Sequence, residues 1–258
     1  MDDPTRLFRL DGRSVIVTGA SSGLGAKMAE IMAAAGARVA LAARRMEKLE
    51  RLAADITDDG GEAIAVACDV TREADVDRLI ATVVDRYGTV DVLVNNAGIA
   101  DPQPAEAESL EHFKHILDVN LNSVFLCSQR CSRVMLAANG GAIVNIASIL
   151  GVVGAGQVPQ ASYTASKGGV VNMTRELAAQ WARRGIRVNA ILPGWFPSEM
   201  TQEMFADDGS VRWIRGRTPM GRGGDPAELG GALLFLASEA SSYVTGAILA
   251  VDGGWTTV

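Results

Sequence analysis

Residues 14–32 constrain this chain more than any other stretch. Ser14-Val15-Ile16-Val17 is a short apolar run of strand type. Thr18-Gly19-Ala20-Ser21-Ser22-Gly23-Leu24-Gly25 is a glycine-spaced turn, and Ala26-Lys27-Met28-Ala29-Glu30-Ile31-Met32 reads as a helix. A strand that passes through glycines into a helix leaves the first helical amides without intrahelical partners. It aims them, with the positive end of the helix dipole, at whatever lies beyond the strand. Glycines at 19, 23 and 25 let the backbone turn tightly and approach a pyrophosphate, so Gly19, Ser21, Ser22, Gly23, Leu24 and Gly25 are expected to bind a dinucleotide. An ordinary flexible glycine turn is the competing reading, and the strand-turn-helix context favours binding.

The rest of the chain repeats this alternation. Short apolar runs near 14–18, 38–42, 63–68, 91–95, 142–147, 187–192 and 247–251 read as strands, and segments near 23–35, 45–58, 72–87, 110–138, 162–184 and 226–238 read as helices. The expected fold class is α/β: a Rossmann-like doubly wound fold with a seven-stranded parallel sheet flanked by helices on both faces. No repeat, low-complexity tract or linker divides residues 1–258, so one domain is expected. The one long irregular segment, 193–225, reads as a lid. Its Trp195, Phe196, Met200, Met204, Phe205, Trp213, Ile214 and Met220 predict an apolar substrate pocket, with an amphipathic helix covering the core as the competing reading. In open parallel sheets ligands bind outside the carboxyl ends of the strands. Gly19, Arg44, Asp69, Asn95, Ser148 and Pro193 follow strands one to six in turn.

A length of 258 residues with 48% hydrophobic content suffices for one sizeable core. The 24 basic and 30 acidic residues give a net charge of −6 with no polybasic stretch, which excludes nucleic acid as the main partner. The first residues, Met1-Asp2-Asp3-Pro4-Thr5-Arg6, lack an apolar secretion segment, and a cytoplasmic location is expected. The uncharged stretch 134–166 is broken by Asn139, Gly140, Gly141, Asn145, Gln157, Pro159 and Gln160, so it reads as strand, loop and helix start rather than a membrane span. Cys68, Cys127 and Cys131 are expected as free buried thiols. His112 and His115 have no third partner at metal-ligand spacing and read as surface residues, so no metal is expected.

Proton chemistry is suggested by Tyr163-Thr164-Ala165-Ser166-Lys167. Positions i and i+4 share a helix face, so the Lys167 ammonium can lie beside the Tyr163 phenol and favour phenolate. Ser148 stands fifteen positions upstream, directly after an apolar strand. The second strand ends in Ala43, followed by Arg44 and Arg45. An acid at Ala43 would bind free ribose hydroxyls and repel a 2′-phosphate, whereas a small residue followed by arginine accepts that phosphate. NADP(H) is therefore the expected cofactor, with NAD(H) possible.

In this order the motifs resemble the short-chain dehydrogenase/reductase family, in its branch of about 250 residues, from about Leu10 to Val258. The likeness rests on the glycine turn, Cys68-Asp69-Val70, Asn95-Asn96-Ala97-Gly98, Asn120, Ser148, Tyr163 to Lys167, Pro193-Gly194 and Asp252-Gly253-Gly254. It implies that Tyr163 is the general acid or base, that Lys167 lowers its pKa and holds the nicotinamide ribose, and that Ser148 binds the substrate oxygen. Asn120 would hold a water in a proton relay. The same likeness implies cofactor contacts from Asp69, Val70, Asn96, Ala97, Gly98, Pro193, Gly194, Phe196 and Ser198, prefers Arg44 over Arg45 as the phosphate contact, and implies a homotetramer paired through helices 110–138 and 162–184. Apolar Val170, Val171, Met173 and Leu177 are taken to mark that pairing face. Two departures stand out: the Ser148–Tyr163 interval is two residues longer than the common spacing, and Ser198 replaces the usual threonine. Ser162 is the competitor to Ser148.

The expected activity is interconversion of a ketone and a secondary alcohol on a small-molecule substrate. The alternatives are a 3-oxoacyl thioester reductase, on acyl carrier protein or coenzyme A, and a non-catalytic nucleotide-binding regulatory protein. A methyltransferase, the other fold using such a turn, prefers an acid after the second strand, where this chain has Arg44.

Overall fold

The computed structural model describes residues 3–258. Strand β1 (Ser14–Thr18) is buried along its whole length, and β2 (Arg38–Ala43) is buried at every residue after Arg38. Continuous apolar strands of this kind need cover on both faces, the signature of a parallel sheet between helical layers. With β3 (Glu62–Ala67), β4 (Val92–Asn95), β5 (Gly141–Ile146), β6 (Ile186–Pro193) and β7 (Ile248–Val251) they form one seven-stranded sheet in the order β3-β2-β1-β4-β5-β6-β7. Every pairing is parallel, and Val15 is in register with Val39 on one side and Val92 on the other. The strand order reverses between β1 and β4, which opens a crevice at their carboxyl ends.

Successive strand residues point to opposite faces, so the two layers divide the core by alternation. Val15, Val17, Val39 and Leu41 pack with α1 (Gly23–Ala34), α2 (Met46–Asp58) and α9 (Leu229–Ala237). Ile16, Ala40, Leu93 and Ile143 pack with α3 (Glu73–Tyr87), α5 (Ser123–Ala137) and α6 (Ala161–Trp181). In α2 the buried residues are Leu49, Leu52 and Ile56, the one-sided spacing of a surface helix. Each such side chain contributes about 1.5–3 kcal/mol on burial. Helix α3 stops at Gly88, whose φ of 86° is left-handed and so favours glycine. No helix among the described residues is long and apolar enough to cross a membrane.

Four expectations are corrected. The helix expected over 110–138 is interrupted: α4 (Leu110–Leu117) and α5 are joined by a π-helical turn at Asp118–Asn122, because Asn120 turns inward to bond the chain at Ile99. Segment 193–225 is largely helical, with a 3-10 turn at Glu199–Thr201, then α7 (Gln202–Ala206) and α8 (Asp208–Arg217). Asp207 caps α8 by accepting from the Ser210 amide at 2.7 Å. The apolar residues of that segment mostly pack inward rather than line a pocket. Trp195, Phe196 and Ile214 are buried, and Trp195, Trp213 and Trp255 form a triad of edge-to-face contacts with centroids 5.0–5.5 Å apart. Likewise Val170, Val171 and Leu177 are buried within the chain and Met173 packs against the same core, so they mark no pairing face. Cys68, Cys127 and Cys131 are free and buried, as expected.

Candidate active site

A cleft of about 510 Å³ follows the carboxyl ends of the strands, within the range of cofactor and ligand pockets. Its floor is the glycine turn. Gly19 and Gly23 have φ of 68° and 55°, and a Cβ on Gly25 would lie 2.3 Å from the Gly19 carbonyl oxygen, so β1 and α1 can approach this closely only with glycine there. Ser22 precedes α1 without capping it through its side chain, so the side chain leaves the first amides of the helix unclaimed. The turn is pinned from β4. The Asn96 amide donates to the Thr18 carbonyl at 2.9 Å, and the Thr18 hydroxyl accepts from the amides of Asn96 and Ala97. These unclaimed amides, set beside a roomy cleft, fit a dinucleotide pyrophosphate. Leu24 and Ser21 line the same wall.

At one end Arg45 donates to Ser21 Oγ at 3.0 Å, Ser22 Oγ at 2.7 Å and Glu199 Oε2 at 2.8 Å. Arg44 is exposed at the rim, where its charge helps hold the Asp69 carboxyl below its ordinary range, after the larger effect of the Thr71 hydroxyl bond. Asp69 and the buried Val70 line the adjoining wall.

At the other end Ser148, Tyr163 and Lys167 meet. Ser148 follows β5, and its hydroxyl accepts from the Leu150 amide at 3.1 Å. Lys167, buried, donates from Nζ to the Ile146 carbonyl at 2.9 Å and lies 5.7 Å from the centre of the Tyr163 ring. The expectation that Lys167 holds the Tyr163 pKa down is corrected. Burial pushes the phenol above 10, offset in part by the Ser148 hydroxyl, and burial pushes the Lys167 ammonium down to about 8. Desolvation outweighs the Ser148 hydrogen bond. Gly98 is fitted to the pair, since a Cβ there would stand 3.3 Å from Asn120 Oδ1 and 3.5 Å from Lys167 Nζ.

Asn120 is wholly buried. Its Oδ1 accepts from the Ile99 amide at 2.8 Å, and its Nδ2 donates to the Ile99 carbonyl at 2.8 Å and to Ser166 Oγ at 3.2 Å. It therefore ties the loop after β4 to the helix carrying Tyr163. Ser162 is buried at the start of α6, away from the cleft lining, and does not replace Ser148. Pro193, Gly194, Phe196 and Ser198 all reach the cleft, although Phe196 is chiefly a core residue against Gly224. Gly194 is needed because a Cβ would stand 2.7 Å from the Cα of Asp252. His112 bonds Glu108 and Asp101, and no group of three or more potential metal ligands occurs among the described residues. Sequence reasoning missed Glu199, His115 and Thr18. Glu199 alone carried a signal, standing next to Ser198 in the segment after β6.

A family model described as enoyl-(acyl carrier protein) reductase matches residues 19–256. Galactitol 2-dehydrogenase (L-tagatose-forming) of Cereibacter sphaeroides is 43% identical over 98% of this chain and 99% of its own length. A 3-oxoacyl-[acyl-carrier-protein] reductase of Synechocystis sp. is 39% identical over 95% and 97%. The crystal structure of a gluconate 5-dehydrogenase from Burkholderia cenocepacia in complex with NADP and tartrate superposes with a TM-score of 0.95 at 38% identity, covering 99% of this chain and all of that one. The chain belongs to the short-chain dehydrogenase/reductase family, as an oxidoreductase that interconverts ketones and secondary alcohols with a nicotinamide cofactor.

Proposed function

We propose that this enzyme prefers NADP(H) and acts on a polyhydroxylated ketone or alcohol, a polyol or sugar acid, with Tyr163 as proton donor and acceptor. The observation that carries this reading is the meeting of Ser148, Tyr163 and Lys167 in one cleft with Ser21, Ser22 and Arg45. The nicotinamide cofactor supplies the hydride in reduction and takes it in oxidation. Gly19 to Gly25 hold its pyrophosphate on the first amides of α1, and Arg44 and Arg45 meet a 2′-phosphate, with Arg45 better placed because it already joins two hydroxyls.

In reduction the raised pKa keeps the Tyr163 phenol protonated at neutral pH, ready to donate to the carbonyl oxygen. The Ser148 hydroxyl hydrogen-bonds the same oxygen as charge develops on it. Lys167, at about 8, is mainly an ammonium at neutral pH and stabilises the phenolate left behind. Asn120 positions rather than reacts, since its amide bonds are already committed to Ile99 and Ser166. The polyol reading is supported by the galactitol and gluconate relatives, by His115 on the cleft wall, and by the inward packing of the segment's tryptophans.

The test is a spectrophotometric panel of ketoses, keto sugar acids and 3-oxoacyl thioesters with NADPH and NADH, run on the natural chain and on Tyr163→Phe. The ketose or sugar-acid arm is expected to lead with NADPH. Tyr163→Phe is expected to lose at least ~10³-fold in turnover with cofactor binding retained. Near-normal turnover in that variant defeats the proton-donor assignment, and a leading thioester arm defeats the substrate class.

The segment 193–225 serves as the lid of this single domain. A homotetramer in the cytoplasm completes the reading, supported by the exposed Leu110 and Phe125 on α4 and α5. A monomer mass by light scattering at micromolar concentration overturns the assembly.

A further inference from the structure

The basic and hydroxylic end of the cleft already holds an anion that belongs to the chain itself. Glu199 stands in the 3-10 turn that opens the lid segment. Its Oε2 accepts from Arg45 at 2.8 Å and its Oε1 accepts from Lys48 at 2.5 Å. The same Arg45 guanidinium donates to Ser21 and Ser22. One guanidinium and one ammonium thus converge on a carboxylate beside the glycine turn, where the ribose 2′ position of a cofactor on that turn must lie. The carboxyl is held down to about 2, first by the Arg45 bond and then by the Lys48 bond, so it is ionised throughout the working range of an enzyme.

This arrangement is a contact between two elements far apart in sequence. Arg45 and Lys48 belong to the start of α2, on the rigid side of the sheet. Glu199 lies two residues from Thr201, whose hydroxyl bonds the Phe196 carbonyl, so the whole first turn of the lid is held by this carboxylate on one side and by Phe196 on the other. The turn also sits on the glycine turn, with Ser198 Cβ only 3.2 Å from where a Cβ on Gly23 would stand. The ion pairs are about half exposed. Water and a competing dianion can therefore reach them.

We propose that Glu199 is a built-in competitor for the cofactor 2′-phosphate at Arg45: NADP(H) displaces it and frees the first turn of the lid, whereas NAD(H) leaves the turn latched. The inference rests on the 2′-phosphate reading of Arg44 and Arg45 given above. A phosphate offers more charge and three acceptor oxygens to the same donors, and so wins the exchange. The carboxylate reduces the net gain, because each phosphate contact made at Arg45 replaces one already present. Glu199 thus limits the preference between the two cofactors and links the choice of cofactor to lid freedom.

The probes are adenosine 2′,5′-bisphosphate and 5′-AMP, which share the adenosine and differ only in the 2′-phosphate. They are titrated calorimetrically into the full chain and into Glu199→Gln, with amide hydrogen exchange over 198–206 followed in parallel. The bisphosphate is expected to bind the natural chain more tightly than 5′-AMP and to speed exchange in that stretch, which 5′-AMP leaves unchanged. Glu199→Gln should strengthen bisphosphate binding on the order of tenfold, leave 5′-AMP binding unchanged, and show fast exchange over 198–206 before any ligand is added. A preference for the bisphosphate that Glu199→Gln does not increase overturns the competitor role while leaving the phosphate site standing. Equal binding of the two probes in both proteins overturns the phosphate site and the competitor together. Faster exchange in the variant without the affinity gain assigns Glu199 to lid packing alone and also overturns the proposal.

Discussion

Lys167 shows how one residue can cost stability in exchange for chemistry. It is the one buried lysine of the described residues, and its only hydrogen bond goes to a main-chain carbonyl, with no carboxylate beside it. The drop from its ordinary 10.5 to about 8 corresponds to ~3 kcal/mol of unfavourable charge burial. Below about pH 8 both the folded and the unfolded chain hold this proton, and the folded chain carries the full penalty. Between about 8 and 10.5 the unfolded chain binds more protons than the folded one, so this group's contribution to stability rises with pH across that window. Lys167→Met, of similar length and apolar, is expected to abolish turnover yet raise unfolding free energy at pH 7 by on the order of 1–3 kcal/mol, the loss of the Ile146 bond taking back part of the gain. Urea midpoints of the variant and the natural chain should converge as pH approaches 10. A variant less stable than the natural chain at pH 7 would mean that the ammonium is better solvated than its burial implies.

At the scale of elements, the start of α6 has an anchor that its own sequence does not show. Gln160 precedes the helix without capping it. Instead Glu108, from the connection after β4, stands close enough to Ser162 to be influenced by it and bonds His112, whose other nitrogen meets Asp101. A carboxylate there complements the dipole of the helix that carries Tyr163 and Lys167. Burial opposes ionisation of Glu108, but Ser162 and His112 together outweigh it and its pKa falls; the Glu108 bond raises that of His112. The raised histidine contributes stability fully below its ordinary value of 6.5, and this is lost as pH rises through its folded value. The lowered Glu108 contributes above about 4.5 and loses that as pH falls. The destabilisation caused by His112→Ala is therefore expected to be larger at about pH 5.5 than at about pH 8.5 in urea unfolding. An equal loss at both values rules out the charged pair.

The same elements show what a sequence can disclose. Strands such as β1 and β2 announce themselves because burial on both faces demands unbroken apolar runs. Tyr163 and Lys167 are legible because helical spacing brings them to one face. The π-helical turn at Asp118–Asn122 is not, since one wide turn leaves the periodicity of 110–138 almost unchanged and depends on the distant Ile99. Helix α8 is hidden by its glycines and charges, and it exists because Asp207 caps it and Ile214 finds a core built from the tail. The Tyr163 pKa is equally non-local, set by how deeply other elements bury it.

On the scale of the whole molecule, residues 252–257 pack against β6 and the segment that follows it. Asp252 accepts from the amides of Gly254 and Thr256 and from the Thr256 hydroxyl, which folds the tail back over Gly194. That turn delivers Trp255, 1% exposed, between Trp195 after β6 and Trp213 on α8, with the Arg217 guanidinium 4.7 Å from its ring centre. One indole thus joins the last residues, the 193–225 segment and the layer formed by Val170 and Val171 of α6. Large edge-to-face aromatics combine area burial with a geometric preference, so removing the central ring loses both and leaves a cavity. Trp255→Ala is expected to cost roughly 3–5 kcal/mol, a fall in melting temperature of roughly 6–20 °C for a chain of this size. Because the turn at Glu199–Thr201 is held separately by the bonds of those two residues, the loosening should concentrate in α8. Amide exchange over 208–217 is expected to accelerate more than over 198–206, and Trp255→Phe should recover part of both stability and protection. An unchanged melting temperature, or exchange that rises equally across both stretches, would show that the tail is a passive cover and that the 193–225 segment is held by its own helices.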